Sequence, residues 1–497
     1  MKRPLRRDVL QLAGLGAAGT LLPRLLAGCG DDAANAAVGD ASMGDASMAY
    51  VAPPFDPDMP WWLQGNYGVL SDERETMELE VEGAIPTALS GLFARNGSNA
   101  QSGQSAHWFV GDGMVHGLRI EEGRPLWYRN RWVETQNLVG EPPAEGEPPS
   151  LEANDSNVAL VHHASKLLSL GEVGLPYQLA TEDLGTLGAY DFDGALMTAM
   201  TAHPKIDPVT GEMLMFGYNW APPYLTYHLV DADGVLVRSE VIDIPGPAMM
   251  HNFAITESKV VFMDLPIVFD FDEAVAGSGF PYAWDDDYGA RMGVMPRDGG
   301  NADVQWYDVD PCYVFHLNNA YDDGEAVVLE GARHTSLWQS GPGDFGSQPA
   351  MHRWRMDPAA GSAGEEPLDD VPIEFPQVDP RLTGKPYRYS YALRYDIPTP
   401  GEGPQLPSGI LKYDMRDGSS SSIEMPEGHV PDERVFVPAS ADAGEDEGYL
   451  MGFVYDSTRD ESALVIHDAQ TMADEPVARV KLPYRVPFGF HGLWVPD

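Results

Sequence analysis

Cysteine is close to absent. The 497-residue chain has two, Cys29 and Cys312, and Cys29 belongs to a targeting segment, so no disulfide can staple the folded part. Stability must come from a buried core. Basic residues are scarce too: 31 Lys and Arg face 76 Asp and Glu, giving a net charge of −45. A surface of that sign repels phosphate backbones, which excludes a polynucleotide partner and leaves a solubilising acidic exterior. Long apolar runs are missing: the stretch Leu10 to Leu26 is broken by Gly14, Gly16 and Gly19 and makes a poor spanning helix. Absent as well are a fixed-period repeat, a sustained helical pattern, and any His-Glu-x-x-His pair that would carry zinc on one helix.

The first residues read as an address. Arg6-Arg7-Asp8-Val9-Leu10 is a twin-arginine pattern ahead of a modestly hydrophobic stretch, and Leu26-Ala27-Gly28-Cys29 has the form of a lipobox. Cys29 would then be lipidated and become the mature N-terminus. The expected organisation is a signal over 1–29, a flexible linker over 30–55 rich in Ala, Gly, Asp and Ser, and one folded domain over 56–497. Such a protein is expected on the periplasmic side as a membrane-anchored lipoprotein. The twin-arginine route carries chains already folded in a reducing cytoplasm, which fits the lack of disulfides.

From about Trp61 onward the texture is uniform. Glycine (52) and proline (42) are abundant, and Asp233-Gly234, Asp323-Gly324 and Asp417-Gly418 are turn dipeptides. Between such turns lie β-rich runs: Met114–Ile120, Val235–Val241, Lys259–Asp264, Ala326–Leu329, Tyr449–Val454 and Ala463–His467. Short strands between turn signals indicate an all-β sandwich, barrel or propeller. A single sandwich seldom absorbs about 440 residues, so a propeller is favoured. Val139–Ser156 and Met356–Asp370 are expected to be long surface loops.

The chain has 13 histidines. His162, His228, His352, His429 and His467 sit in polar or strand-edge contexts and carry no expected chemistry. Four others lie in or beside apolar strand-like segments with a small or amide neighbour: His203, His251, His316 and His491. Taken singly, each reads more readily as a satisfied core histidine than as a ligand. The first two gaps between them, 48 and 65 residues, are near one blade of about 40–50 residues, so one histidine per inner strand can converge on a propeller axis. His107 and His116 flank Gly111-Asp112-Gly113-Met114; that segment reads as a turn built on glycine's conformational freedom, with Arg95 and Asp112 as a candidate buried pair.

Several motifs in order resemble one family. They are Leu79-Glu80-Val81-Glu82-Gly83-Ala84-Ile85-Pro86, Gly91-Leu92-Phe93-Ala94-Arg95-Asn96-Gly97, and His107-Trp108-Phe109-Val110-Gly111-Asp112-Gly113. Further on come Gly174-Leu175-Pro176-Tyr177, Thr201-Ala202-His203-Pro204-Lys205, Met250-His251-Asn252-Phe253, Gly384-Lys385-Pro386-Tyr387 and Phe490-His491-Gly492-Leu493. From about Gly65 onward the chain resembles the carotenoid cleavage oxygenases, which include carotenoid and apocarotenoid dioxygenases, stilbenoid-cleaving dioxygenases and the retinoid isomerase of the eye. Ser98, Val110 and Asn252 depart from the family's usual residues; none removes a candidate ligand.

The resemblance implies a seven-bladed β-propeller, capped by loops and short helices, with Fe(2+) on its axis held by His203, His251, His316 and His491. It implies Glu172, Glu374 and Glu433 as hydrogen-bond partners of the second to fourth histidines. Neutral imidazoles suit Fe(II), and four of them leave two octahedral positions for O2 and substrate. Loading iron before export would also protect the site from copper, which affinity alone favours. The implied reaction is cleavage of a carbon–carbon double bond in an apolar polyene, a carotenoid or apocarotenoid, to two carbonyl compounds. Stilbenoid cleavage, retinoid-type isomerisation and metal-free apocarotenoid binding are the alternatives. Stilbenoid cleavers carry a tyrosine near the Gly-Asp-Gly segment and a lysine downstream. Here Trp108-Phe109 holds the first place and no lysine occurs between Arg129 and Ser156. An apolar substrate implies membrane association through lipidated Cys29 and an apolar entrance patch.

Overall fold

The computed structural model describes residues 56, 58–141, 150–339, 341, 346–396 and 406–497; the signal over 1–29 and the linker to residue 55 lie outside them. The regular structure of the described residues is almost wholly β: seven sheets arranged as the blades of a propeller and one two-stranded hairpin. Blade 1 is built on Gly91–Arg95, Met114–Glu121 and Arg124–Trp132, and blade 2 spans Ala159–His163 through Thr186–Ala189. Blades 3 to 6 each run from a first strand outward: Lys205–Ile206, Phe253–Ile255, Leu317–Asp323 and Ile373–Gln377. Blade 7 centres on Gly448–Asp456, Glu461–Asp468 and Ala478–Leu482.

Local sequence explains the blades. Met213–Tyr218 is a continuous apolar run buried along its whole length, because neighbouring blades cover both faces. The outer strand Leu236–Ile242 instead alternates between half-buried and exposed positions, as a one-sided surface strand must. The turn glycines Gly234, Gly324 and Gly418 have φ of 86°, 63° and 74°, a region that costs other residues strain. Blades pack through apolar faces: Leu168 and Leu170 of blade 2 meet Met213, Met215 and Val230 of blade 3.

Distant segments close the ring. Gly492–Pro496 pairs with Gly91–Arg95, opposing Gly492 to Arg95, and completes blade 1. Val81–Gly83 pairs with Ala478–Leu482 and completes blade 7. Both pairings tie distant segments into one blade and so close the ring. Between the second and third strands of blade 4 the chain inserts a hairpin, Ile267–Phe269 with Tyr282–Trp284. Its tip is the short helix Phe271–Val275, capped by the Asp270 side chain accepting from Asp272 and Glu273 N–H. This hairpin and the 3-10 turns Trp61–Leu63 and Gly65–Tyr67 contribute to the cap. Among the described residues no helix is long and apolar enough to cross a membrane.

The expected loop Met356–Asp370 is corrected. It contains the turn and second strand of a hairpin, Ala350–Asp357 with Ser362–Pro367, closed by Gly361 at φ 64°. Its polar residues occupy an exposed outer strand, whose one solvated face erased the apolar signal.

Candidate metal centre

His203 and His251 each lie two residues before the first strand of their blade, and His316 and His491 lie directly before theirs. These strands ring the axis, so the four imidazoles meet at one end of it. His203 Nε2 is 2.8 Å from His251 Nε2, which is 3.4 Å from His316 Nε2. Four ligand nitrogens, one from each ring, lie within 4.8 Å of one another.

Carboxylates hold three of these rings from behind. Glu172 bonds His251 Nδ1 and Glu374 bonds His316 Nδ1. Glu433 Oε1 accepts from His491 Nδ1 at 2.9 Å, while its Oε2 accepts from Gly492 N–H at 2.7 Å. Glu433 is buried, which settles against a solvated acid. His203 has no carboxylate partner; its backbone N–H donates to Thr201 Oγ1 at 3.1 Å. Each blade therefore supplies one group to this ring of seven: His491, Glu172, His203, His251, His316, Glu374 and Glu433 for blades 1 to 7.

Burial disfavours the charged form of two of the imidazoles, His203 and His316. Burial, then the other three histidines, drives His203 well below its ordinary pKa. Burial lowers His316 to about 4, against the pull of Glu374. Burial opposes ionisation of Glu374, yet His316 and His334 outweigh it and hold its carboxyl well below the usual range. With Nδ1–H donated to a carboxylate, Nε2 of His251, His316 and His491 carries a lone pair. A cation about 2.1 Å from such nitrogens spaces opposite pairs about 4.2 Å apart, and the observed cluster fits that size. Four converging imidazole nitrogens, three of them backed by carboxylates, fit a metal ion.

Sequence reasoning missed the backbone device beside Glu374. The first strand of blade 6 bulges between Glu374 and Gln377, and Phe375 sits at φ 54°, an outlier for a bulky residue. Such strain costs about 1–3 kcal/mol and persists only where its surroundings impose it. The bulge places three contacts. Phe375 N–H donates to Glu374 Oε2 at 2.7 Å, the Phe375 ring stacks on His316 at 4.9 Å, and Gln377 Nε2 donates to Glu433 Oε1 at 2.8 Å. Phe375-Pro376 is the sole local cue.

The histidines separate an aromatic side from a polar one. Phe315 packs on His251 at 5.3 Å, and Phe109 lies 5.7 Å from both Phe315 and Phe490. Trp108 packs on Phe490 at 4.9 Å and edge-on to Tyr67 at 5.3 Å. On the other side, residues that follow these groups in the chain line a cavity of about 170 Å³, among them Lys205, Asn252 and Asn319 after the histidines and Gln377 after Glu374.

Three expectations need comment. Arg95 does not pair with Asp112: it lies 3.7 Å from Asp432, both buried, while Asp112 accepts from Gln101 N–H at 2.8 Å. Strand register decides this, because Arg95 opposes Gly492 beside blade 7. His107 and His116 stand apart from the metal group; His107 stacks on Phe280 at 4.4 Å and His116 bonds the Tyr128 hydroxyl at 2.9 Å. His228, His352 and His467 are buried rather than strand-edge residues, which their polar neighbours concealed.

Fold and site define the class: a seven-bladed propeller with an all-histidine metal-binding group on its axis, backed by carboxylates. The sequence pattern of RPE65, the retinal pigment epithelial membrane protein, matches residues 69–496, and the chain belongs to this family, the carotenoid cleavage oxygenases. A carotenoid cleavage oxygenase of Mycobacterium tuberculosis is 36% identical over 490 residues, covering 88% of this chain and 97% of the relative. A carotenoid 9,10(9',10')-cleavage dioxygenase 1 of Arabidopsis thaliana is 35% identical, covering 88% and 90%. Among solved structures, a lignostilbene dioxygenase of Pseudomonas brassicacearum superposes with a TM-score of 0.80 at 29% identity, covering 90% of this chain and 100% of that one. A Synechocystis apocarotenoid oxygenase gives 0.77 at 28% identity, covering 88% and 98%.

Proposed function

We propose that the protein is an Fe(II)-dependent dioxygenase that cleaves one carbon–carbon double bond of a carotenoid or apocarotenoid to two carbonyl products. The carrying observation is the ring of seven: four imidazoles converging through Nε2, three fixed by Glu172, Glu374 and Glu433, on the floor of an aromatic wall. The reaction balances without a reductant, since both atoms of O2 end in the two new carbonyls. Iron(II), when bound, supplies the activation of dioxygen. His203, His251, His316 and His491 would hold it, and the glutamates fix the tautomer and orientation of three of these rings. Phe109, Phe315, Phe375 and Phe490 exclude water and pack a polyene, which gains about 25 cal/mol per Å2 of apolar surface buried. A metal-free binder needs none of the seven groups.

One observation favours the stilbenoid alternative. The buried hydroxyls of Tyr218 and Tyr282 bond each other close to Glu172, so the site holds hydroxyl groups that the Trp108-Phe109 motif does not announce. Against it stands Trp108 itself, whose ring packs against Tyr67, Phe488 and Phe490. We further propose that the protein meets its substrate at a membrane, anchored by lipidated Cys29 after twin-arginine export. The apolar contact would include Phe271 and Val275, 43% and 58% exposed at the cap hairpin's tip beside Trp220.

The test is competition between an apocarotenal and resveratrol or isoeugenol in one detergent-matched assay, with the aldehydes identified and iron quantified at about one per chain. The expected preference for the apocarotenal is at least tenfold in kcat/KM, which takes about 1.4 kcal/mol. Equal or better cleavage of the phenolic substrate overturns the carotenoid assignment.

A further inference from the structure

The aromatic side of the metal centre backs onto a second cavity. Where blades 6 and 7 meet the 3-10 turn Gly65–Tyr67 lies a pocket of about 450 Å³. Leu406, Pro407, Met425, Val430 and Tyr455 line it. Four of these, Leu406, Met425, Val430 and Tyr455, belong to the same apolar cluster as Phe375 and Trp108, so pocket and metal centre share a wall. Asn66 joins the two. Its carbonyl accepts from Phe488 N–H at 2.7 Å, and Phe488 packs on Trp108 at 5.9 Å. The Asn66 side chain lines the pocket. The residue is 5% exposed, and among the described residues its Oδ1 is buried with no hydrogen-bond partner.

A buried acceptor left unpaired is costly, and its presence in a folded protein calls for an occupant. Polar groups at the rim are committed elsewhere: Ser408 Oγ donates to Asp396 Oδ1 at 2.9 Å, and His429 Nδ1 lies 3.2 Å from the Glu427 carbonyl. A lone water needs several polar partners, and the lining around Asn66 is largely apolar. The pocket falls within the usual range of small-molecule sites, about 300–1,000 Å3. Its chemistry selects the ligand class. A hydrocarbon leaves Oδ1 bare, a ketone has no proton to donate to it, and a charged group would meet apolar walls. We propose that this pocket is a second ligand site, which takes a small apolar alcohol of terpenoid size whose hydroxyl donates to Asn66 Oδ1. The terminal torsion of an asparagine is broad, so the amide can turn toward the incoming group. None of the seven groups at the metal centre takes part, and the proposal does not rest on the metal reading.

Menthol, menthone and p-menthane share one carbon skeleton and differ in the group offered to Asn66. Each is titrated calorimetrically into the purified protein in detergent-free buffer. Tryptophan emission is followed in parallel, since Trp61 packs on Tyr67 at 4.8 Å beside the pocket. Wild type should bind menthol about tenfold more tightly than either of the others. Asn66→Leu, which removes an unpaired polar group, should erase that preference and keep the p-menthane affinity. Met425→Trp, which fills the pocket and leaves the amide in place, should lose all three. If either variant does not fold, Asn66→Ala and Ser457→Phe carry the same expectations. Absence of menthol binding, equal affinity of wild type for the three, or an undiminished preference in Asn66→Leu overturns the proposal. Menthol binding retained in Met425→Trp places the alcohol elsewhere and overturns it as well.

Discussion

Glu374→Gln tests the carboxylate ring with little steric disturbance. Glu374 Oε2 accepts from His316 Nδ1–H and from Phe375 N–H, so the glutamine carbonyl must take that place. The amide NH2 then occupies the Oε1 position, 3.7 Å from His334 Nε2. His334 Nδ1 is 2.9 Å from the Ser347 carbonyl, and its Nε2 would face the amide in place of the carboxylate. The substitution removes a charge at nearly constant shape. A hydrogen bond to an ionised group contributes about 1.5–3 kcal/mol and a neutral one about 0.5–1.5; the difference, about 1–2 kcal/mol, corresponds to the lower part of the 10–100-fold range typical of such partners. Anaerobic Fe2+ or Co2+ titration against a chelator should show about tenfold weaker binding, with the thermal transition of the metal-free protein close to wild type. Unchanged affinity and turnover would refute the reasoning and leave Glu374 a packing residue.

Single changes of His251, His316 or His491 to Ala should remove both bound iron and turnover, read by metal analysis and product formation; full activity in any one of them sinks the four-histidine centre. Replacing Arg6 and Arg7 by Lys should hold the protein in the cytoplasm, and Cys29→Ser should release a soluble exported form; fractionation that still finds the cysteine variant on the membrane removes the lipoprotein anchor. His228, buried and bonded to Thr198 and Ser239 at 2.8 Å each, has its pKa lowered by burial to about 4. The fold holds it neutral while the unfolded chain protonates it near pH 6.5, so its contribution is present above that pH and lost as pH falls toward about 4. That loss reaches about 3 kcal/mol. His228→Gln should flatten this limb in urea unfolding at pH 7 and pH 5, and an unaltered slope contradicts it.

Much of the fold was legible because its signals are local. Turn dipeptides located the hairpins, and apolar runs such as Met114–Glu121 and Lys259–Asp264 became strands with nearly the expected bounds. The ligand candidates were not legible one at a time, since a histidine beside an apolar strand looks the same whether it meets a metal or a serine, as His228 shows. Their order and flanking motifs supplied what spacing could not. What escaped depends on contacts distant in sequence. The Arg95–Asp432 pairing follows from the register that the closing strand imposes. The Phe375 bulge is specified by what Glu374 and Gln377 must reach.

The closing strand also orders events during synthesis. His491 is the most C-terminal of the seven groups, and its ring enters the cluster only when Gly492–Pro496 docks on Gly91–Arg95. A nascent chain that has finished six blades displays three of the histidines, and a product truncated before residue 491 can never show the fourth. The four-histidine group is thus completed only when the ring closes through Gly492–Pro496.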